Sequence, residues 1–147
     1  MTLLRHYPRS RAWLTGAASI AGATLLVVVA GWRRLVRVEV HGRSMTPLLH
    51  PGDRLVAVRG LRSRVGDVVA APDPRRRSRL LVKRAVAVAP DGSIVLAGDN
   101  PAASTDSRAF GPAPARSVIG RVVWRYWPPH RRGTLDGGDR RCPRPVN

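Results

Sequence analysis

The most prominent pattern in the sequence is an apolar segment near the N-terminus, residues 13–32, which contains no charged side chain. A helix of about 20 apolar residues is long enough to cross a bilayer. Trp13 and Trp32 stand at its two ends, where aromatic rings favour the headgroup level. Residues 31–34 (Gly-Trp-Arg-Arg) provide no small-residue cleavage site. The pattern therefore predicts an uncleaved transmembrane signal-anchor after a basic flank at 1–12, in preference to a cleaved signal peptide or a buried helix.

From residue 35 onward, short valine-rich apolar runs alternate with turn residues. Valine favours strands, whereas Gly, Pro and Asp between the runs favour turns. Pro90, Asp91 and Gly92 separate two apolar runs and predict a hairpin. Residues 44–50, with Pro47 near their start, predict a short helical turn. The predicted strands are 35–41, 54–58, 67–71, 80–89, 93–97 and 121–127.

The row of short strands predicts a mainly β protein, a small closed or half-closed β-fold preceded by one N-terminal transmembrane helix. The strands define a domain at residues 36–127. Residues 128–147 are rich in Gly, Pro and Arg and predict a disordered basic tail. The single cysteine, Cys142, lies in that tail and has no second cysteine with which to form an intrachain disulfide.

The net charge of +17 comes almost entirely from arginine, because Lys83 is the one lysine in the chain. A basic chain can bind nucleic acid, but here the arginines are scattered and aromatic residues are few outside 124–127. We therefore predict no specific nucleic-acid partner and expect the charge to face anionic membrane lipids. The arginines on the two sides of residues 13–32 are nearly balanced and lean slightly toward a cytoplasmic C-terminal domain.

Lys83 lies in the apolar run 80–88, where burial would lower the pKa of its amine and let it act as a base. Arginine stays protonated and cannot take that role. A serine hydroxyl needs such a base to become an effective nucleophile. The histidines at 6, 41, 50 and 130 leave a Ser-His-Asp triad open, although nothing singles out its members. On this feature alone, chance survival of one lysine in an arginine-biased chain is an equal alternative.

Several sequence motifs, taken in order, favour the interpretation of Lys83 as a general base. They are Gly-Arg-Ser-Met-Thr-Pro at 42–47, Pro-Gly-Asp at 51–53, Lys-Arg at 83–84 and Gly-Asp-Asn at 98–100, followed by Ser104 and by Asp-Ser-Arg at 106–108. Together they resemble the signal peptidase I family, the membrane-bound Ser/Lys endopeptidases of peptidase family S26. The resemblance covers about residues 38–127, nearly all of the predicted domain, and implies the small β-fold of that family.

The resemblance implies a catalytic dyad of Ser44 as nucleophile and Lys83 as general base. Ser104, four residues after Asn100 as in the family, would orient the lysine amine by a hydrogen bond. The oxyanion would bind backbone N–H groups, with that of Ser44 as the first donor. It would lie beside Gly42, a position at which some members carry a serine.

Two ion pairs of the family also have their counterparts here. Arg84 would pair with Asp99, and Asp106 with Arg108, as structural support for the strand that carries the base. The resemblance implies no cofactor and no metal ion.

The implied substrates are preproteins or leader peptides, which bind as an extended strand and are cut after small residues. The compact chain also resembles the proteases thought to mature nickel-type superoxide dismutase. By the family's pattern, the protein would cross the cell membrane once, with its catalytic domain on the extracytoplasmic face. Three alternatives stay open: a dedicated maturation protease for that dismutase, a self-cleaving repressor-type Ser/Lys peptidase, and a non-enzymatic basic module anchored to the membrane.

Overall fold

The computed structural model describes residues 29–135, of which all but the first few form one antiparallel sheet with its connecting loops. Its strands are β1 (Leu35–Glu39), β2 (Arg54–Val58), β3 (Val68–Asp73), β4 (Arg76–Val88), β5 (Ile94–Ala97), β6 (Gly120–Trp127) and β7 (Gly133–Thr134). The helical elements are the short α1 (Ser107–Phe110) and the 3-10 helices Pro101–Ala103, Ala115–Ser117 and Pro129–Arg131. The prediction of a mainly β fold of short strands is confirmed.

The strand order is β1-β2-β6-β3-β4-β5, and β7 adds to β6. Every pairing is antiparallel, so β1 and β4, separated by an even number of steps, have the same direction. β1 pairs only with β2 among the described residues, and β4 pairs with β5 only from Arg84 onward. One edge of β1 and one edge of the N-terminal half of β4 therefore remain without a strand partner.

The strand β3 lies between two hydrophobic clusters. Val68 and Ala70 belong to one cluster, with Leu55, whereas Val69 and Ala71 belong to the other. All four residues are buried, because successive side chains of a strand point to opposite faces. A strand covered on both faces reads as a continuous apolar run in the sequence, and this explains the run at 68–71.

The turn between β3 and β4 is tighter than the sequence predicted. The predicted strands 67–71 and 80–89 left the arginines at 75–77 in a loop between them, yet β4 already begins at Arg76. Asp73, buried at the end of β3, accepts hydrogen bonds from the backbone N–H and the guanidinium of Arg75. These bonds lower the pKa of Asp73, against the effect of its burial, and they close the turn locally.

The predicted disordered tail begins too early at residue 128. Pro129–Arg131 form a 3-10 helix, Gly133–Thr134 form β7 on β6, and Leu135 is buried in the same cluster as Leu55. Composition predicted disorder, but the hydrogen bonds of β7 and the burial of Leu135 hold this segment on the sheet. Residues 136–147 lie outside the described residues.

The predicted membrane span at 13–32 also lies outside the described residues, except for its last four. Residues 29–33 are helical and belong to an N-terminal unit, Met1–Arg33, separate from the sheet. Within residues 29–135, no helix has the length and apolar character needed to cross a bilayer.

We expect Gly120→Ala to destabilise the fold. A Cβ atom at Gly120 would lie 2.8 Å from the carbonyl oxygen of Val58, a backbone atom that cannot turn away. The variant should lose about 1–3 kcal/mol in free energy of unfolding, as overpacked sites do. Urea denaturation of the full chain measures the loss.

Gly133→Ala is the matched control, because a Cβ atom there meets nothing within 4 Å. Its free energy of unfolding should change by no more than about 0.5 kcal/mol. Equal stability of the two variants would contradict the close approach of β6 to the end of β2.

Candidate active site

A groove of about 450 Å³ lies between β1 and the N-terminal half of β4. Residues 37–42 form one wall, and residues 79–83 of β4 form the other. Apolar side chains that line it include Val38, Met45 and Leu81. Ser44 and Lys83 line the same groove, so the structure brings together the two residues that the sequence proposed as nucleophile and base.

The side chain of Lys83 reaches this groove from a buried position on β4. The residue is only 3% exposed, and its Nζ atom donates a hydrogen bond to Ser104 Oγ at 2.9 Å. Burial lowers the pKa of Lys83, because the charged ammonium loses solvation. The negative charge of Asp106 opposes that effect, and the positive charge of Arg79 adds to it. The net result is an amine that gives up its proton more readily than a lysine in water.

The hydroxyl of Ser104 is itself fixed by Asp106. Ser104 Oγ donates to Asp106 Oδ2 at 2.7 Å, and Asp106 also accepts from the Gly98 N–H and the Arg108 guanidinium. Burial raises the pKa of Asp106, but these hydrogen bonds outweigh it and bring the pKa well below its usual range. Because the Ser104 proton is committed to an ionised carboxylate, Ser104 can only accept a hydrogen bond from Lys83. That leaves the lone pair of a neutral Lys83 amine available for another proton.

Ser44 lies in the turn-rich loop that joins β1 to β2. The Leu49 N–H donates to the Met45 carbonyl at 2.8 Å, and the Thr46 N–H donates to Arg43. Met45 and Leu49 are fully buried in the hydrophobic cluster of β2. The predicted short helical turn at 44–50 is therefore a series of hydrogen-bonded turns, anchored by apolar side chains on both sides of Thr46.

The Gly-Asp-Asn segment after β5 holds this loop against the lysine. The Asn100 N–H donates to the Ser44 carbonyl at 2.9 Å, and Asn100 Nδ2 donates to Thr46 Oγ1 at 3.1 Å. A Cβ atom at Gly98 would lie 2.5 Å from that same Ser44 carbonyl and would also collide with the Ser104 side chain. Glycine is needed at 98 because the nucleophile loop and Ser104 both approach its backbone.

Arg84 and Asp99 form a buried bidentate ion pair beside the site. Arg84 Nε and Nη2 each donate to the Asp99 carboxylate at 2.7 Å, and Nη1 donates to the Gly66 carbonyl. Planar bidentate pairs fix geometry as well as energy. The pair ties β4, immediately after Lys83, to the segment that contacts Ser44.

A second buried carboxylate, Asp53, supports the Ser44 loop from behind, and sequence reasoning gave it no role. Arg131 Nη1 lies 3.2 Å and Arg125 Nη1 lies 3.4 Å from the Asp53 carboxylate. The same two guanidinium groups donate to the Leu48 carbonyl, four residues after Ser44. The Pro-Gly-Asp motif at 51–53 was a signal for Asp53, whereas no local pattern pointed to Arg125 or Arg131.

Gly42 is exposed at the entrance of the groove, and a Cβ atom there would meet nothing within 4 Å. A substrate carbonyl thus has room to approach the backbone before Ser44. Within residues 29–135, no group of three or more His, Cys, Asp or Glu side chains is placed to hold a metal ion.

Lys83 should titrate below the ordinary lysine value of 10.5. Asp106→Asn should lower the pKa of Lys83 further, because it removes a negative charge that favours the ammonium form. Since Lys83 is the one lysine in the chain, protein labelled with ¹³C-lysine gives a single Cε resonance whose titration reports this pKa directly.

Asp91→Asn, in the exposed turn before β5, is the control and should leave the Lys83 titration where it is. A wild-type pKa at or above 10.5 would mean that the amine is not desolvated. A rise of the pKa in Asp106→Asn would show that the carboxylate does not act on Lys83 through its charge.

Gly98→Ala should break the Lys83–Ser104 hydrogen bond, because the new methyl group occupies the space of Ser104 Oγ. We expect a changed Lys83 Cε shift and a lower melting temperature. The sterically free Gly133→Ala should show neither change. An unaltered Lys83 resonance in Gly98→Ala would refute the proposed role of Gly98.

Comparison with known proteins identifies the family of the chain. A family model described as "Signal peptidase, peptidase S26" matches residues 11–92 and 89–127. The chain is 33% identical over 123 residues to the mitochondrial ATP-independent inner membrane protease subunit 1a of Arabidopsis thaliana, with 66% of this chain and 73% of that protein covered. It is 34% identical over 113 residues to the mitochondrial inner membrane protease subunit 1 of Schizosaccharomyces pombe, with 60% and 72% covered.

A shorter stretch of 42 residues is 48% identical to the probable thylakoidal processing peptidase 2, chloroplastic, of Arabidopsis thaliana, and covers 29% of this chain and 11% of that protein. The family model spans well over half of the chain and contains the whole groove between β1 and β4. The chain therefore belongs to the signal peptidase family, peptidase S26, and is a serine peptidase of the signal peptidase type.

Proposed function

We propose that this protein is a membrane-anchored endopeptidase that uses a Ser44/Lys83 dyad to remove N-terminal leader peptides from preproteins. The observation that carries the proposal is the buried Lys83 amine, which lines the same groove as Ser44 and is held by Ser104. No other lysine is present in the chain to supply such a base.

In the acylation step, the neutral Lys83 amine takes the proton from Ser44 Oγ as that oxygen bonds to the substrate carbonyl carbon. Ser104 accepts one N–H of the amine throughout, which keeps Nζ oriented while its protonation state changes. The lysine then passes the proton to the leaving amine as the peptide C–N bond breaks. A water molecule then attacks the ester carbonyl carbon and gives a proton to Lys83. The bond between that carbon and Ser44 Oγ breaks, Lys83 returns the proton to Ser44 Oγ, and the carboxylic acid product leaves.

The oxyanion formed in each step binds backbone N–H groups, with that of Ser44 as the first donor. The Ser44 carbonyl is already held by Asn100, so the peptide plane that follows the nucleophile is fixed before substrate arrives. Such preorganised donors stabilise developing charge without rearrangement in the transition state. Gly42 contributes open space in this role and supplies no side-chain donor.

The substrate binds as an extended strand between the free edges of β1 and β4, with its backbone hydrogen-bonded to either strand. The apolar lining at Val38, Met45 and Leu81 suits small apolar side chains next to the scissile bond. Cleavage after small residues, alanine in particular, is the preference that the family resemblance implies.

Attachment to a membrane fits the relatives, two of which are named as mitochondrial inner membrane proteases. An anchor at residues 13–32 would hold the groove beside substrates that are themselves tethered to the bilayer, and so raise their effective concentration. We place the catalytic domain on the extracytoplasmic face of a single-pass protein, with lipid headgroups as the partners of its many arginines. Processing of a single protein, such as nickel-type superoxide dismutase, stays a prediction from the same motifs.

Ser44→Ala should abolish cleavage of a leader peptide with alanine before the scissile bond, because the hydroxyl that forms the acyl-enzyme is removed. Lys83→Arg should reduce kcat by about 10²–10⁴-fold, since arginine keeps the charge but cannot accept the proton. Cleavage by the full chain in neutral detergent, followed by mass spectrometry of the products, measures both effects.

Ser93→Ala, in the exposed turn before β5, is the matched serine control and should keep wild-type cleavage. Full activity of Lys83→Arg would rule out the dyad. Binding of lipid or nucleic acid that survives in Ser44→Ala, together with no proteolysis by the wild type, would favour the non-enzymatic alternative.

A further inference from the structure

The groove carries an excess of positive charge at the end away from Lys83. Arg37, Arg75 and Arg79 line it, whereas Glu39 is the one acidic residue in its lining. The catalytic role proposed above uses none of these arginines, since each is permanently charged and none can exchange a proton with Ser44.

Two of these arginines form no ion pair with any of the residues that the structure describes. Arg75 is paired with Asp73 at 3.0 Å, and Glu39 lies 3.6 Å from Arg54, outside the groove lining. In the part of the chain that the structure describes, no ion pair involves Arg37 or Arg79. Both are exposed, so their guanidinium groups are available to a ligand in the groove.

The two free arginines lie on opposite walls and toward the same end. Arg37 is on β1 and Arg79 on β4, and these strands have the same direction. Arg79 precedes Lys83 by four residues, about 13 Å along a strand at ~3.3 Å per residue. An extended substrate has nearly the same rise per residue, so a side chain about four residues from the scissile bond reaches the two arginines.

We propose that Arg37 and Arg79 form a subsite that selects an acidic side chain in the substrate about four residues before the scissile bond. This inference rests on the proposed function, which places the residues before that bond in the groove. A carboxylate matches the planar donors of guanidinium, and the two walls offer it one cation each. The arginines act on substrate choice and take no part in the chemical step.

An anionic lipid headgroup is also negatively charged and could bind the same two arginines. The peptide is favoured because the arginines share a groove with Ser44 and Lys83, between two strand edges suited to a peptide backbone. The competing lipid ligand becomes an outcome of the test.

The test compares pairs of leader peptides that differ only by Glu or Gln at the third, fourth or fifth residue before the scissile bond. With the full chain in neutral detergent at low salt, the Glu peptide of the best pair should have a kcat/KM about two- to fivefold higher, as expected for an exposed ion pair. Higher salt should reduce that ratio, because the charges are screened.

Arg37→Gln and Arg79→Gln should each bring the Glu-to-Gln ratio toward one, and Arg79→Glu should favour a Lys peptide instead. Arg116→Gln, an exposed arginine that does not line this groove, is the matched control and should keep the wild-type ratio. Because each ratio compares two peptides on one enzyme at one pH, any effect of the Arg79 charge on Lys83 cancels.

A ratio of one at all three positions, with both peptides cleaved, would overturn the subsite and leave the proposed function standing. A ratio above one that persists in Arg37→Gln and Arg79→Gln would also overturn it. Inhibition by phosphatidylglycerol micelles that is lost in these variants, without a Glu preference, would assign the arginines to lipid. Failure to cleave any peptide would overturn the proposed function, and the subsite with it.

Discussion

The site depends on one constraint: an amine must be buried deeply enough to lose its proton easily, yet be held in one orientation. Burial alone would leave the Lys83 side chain free to rotate, and an adjacent carboxylate alone would keep it charged. Ser104 lies between the Lys83 amine and the Asp106 carboxylate. The amine donates to the neutral Ser104 oxygen, and the Ser104 hydroxyl in turn donates to Asp106. Arg108 further compensates that carboxylate.

The loop that carries the nucleophile is also supported by a buried carboxylate with charge-assisted hydrogen bonds. Asp53 is buried as an acceptor for two arginines, and those arginines extend past it to the Leu48 carbonyl. A buried carboxylate with several charge-assisted hydrogen bonds is rigid, because losing any one donor leaves charge unsatisfied in a low-dielectric region. Ser44 and Lys83 are thus supported by separate polar clusters, and the Asn100 contacts join the loop of one to the loop of the other.

Local pattern was sufficient for much of the fold, since the strands show the alternation or apolar run that burial demands. It failed at Arg76, where a side-chain bond from Arg75 to Asp73 tightened a turn that composition had predicted as a loop. It failed again at residues 128–135, where contacts with distant residues such as Leu48 and Asp53 outweigh a disorder-prone composition. Family resemblance was needed to identify Ser104, Arg84 and Asp99. Their contacts join residues 15 to 21 positions apart, and such contacts produce no periodic pattern in the sequence.

The clamp on Leu48 has a consequence for the order in which the enzyme becomes active during its own synthesis. Arg131 follows Leu48 by 83 residues, and it leaves the ribosome after every residue of the dyad and the segments that hold it. A nascent chain that has reached only Trp127 contains all the recognisable motifs, yet its nucleophile loop lacks one of its two arginine supports. Full support of the nucleophile loop is therefore coupled to the synthesis of residues 128–131, which follow all the segments that carry the motifs.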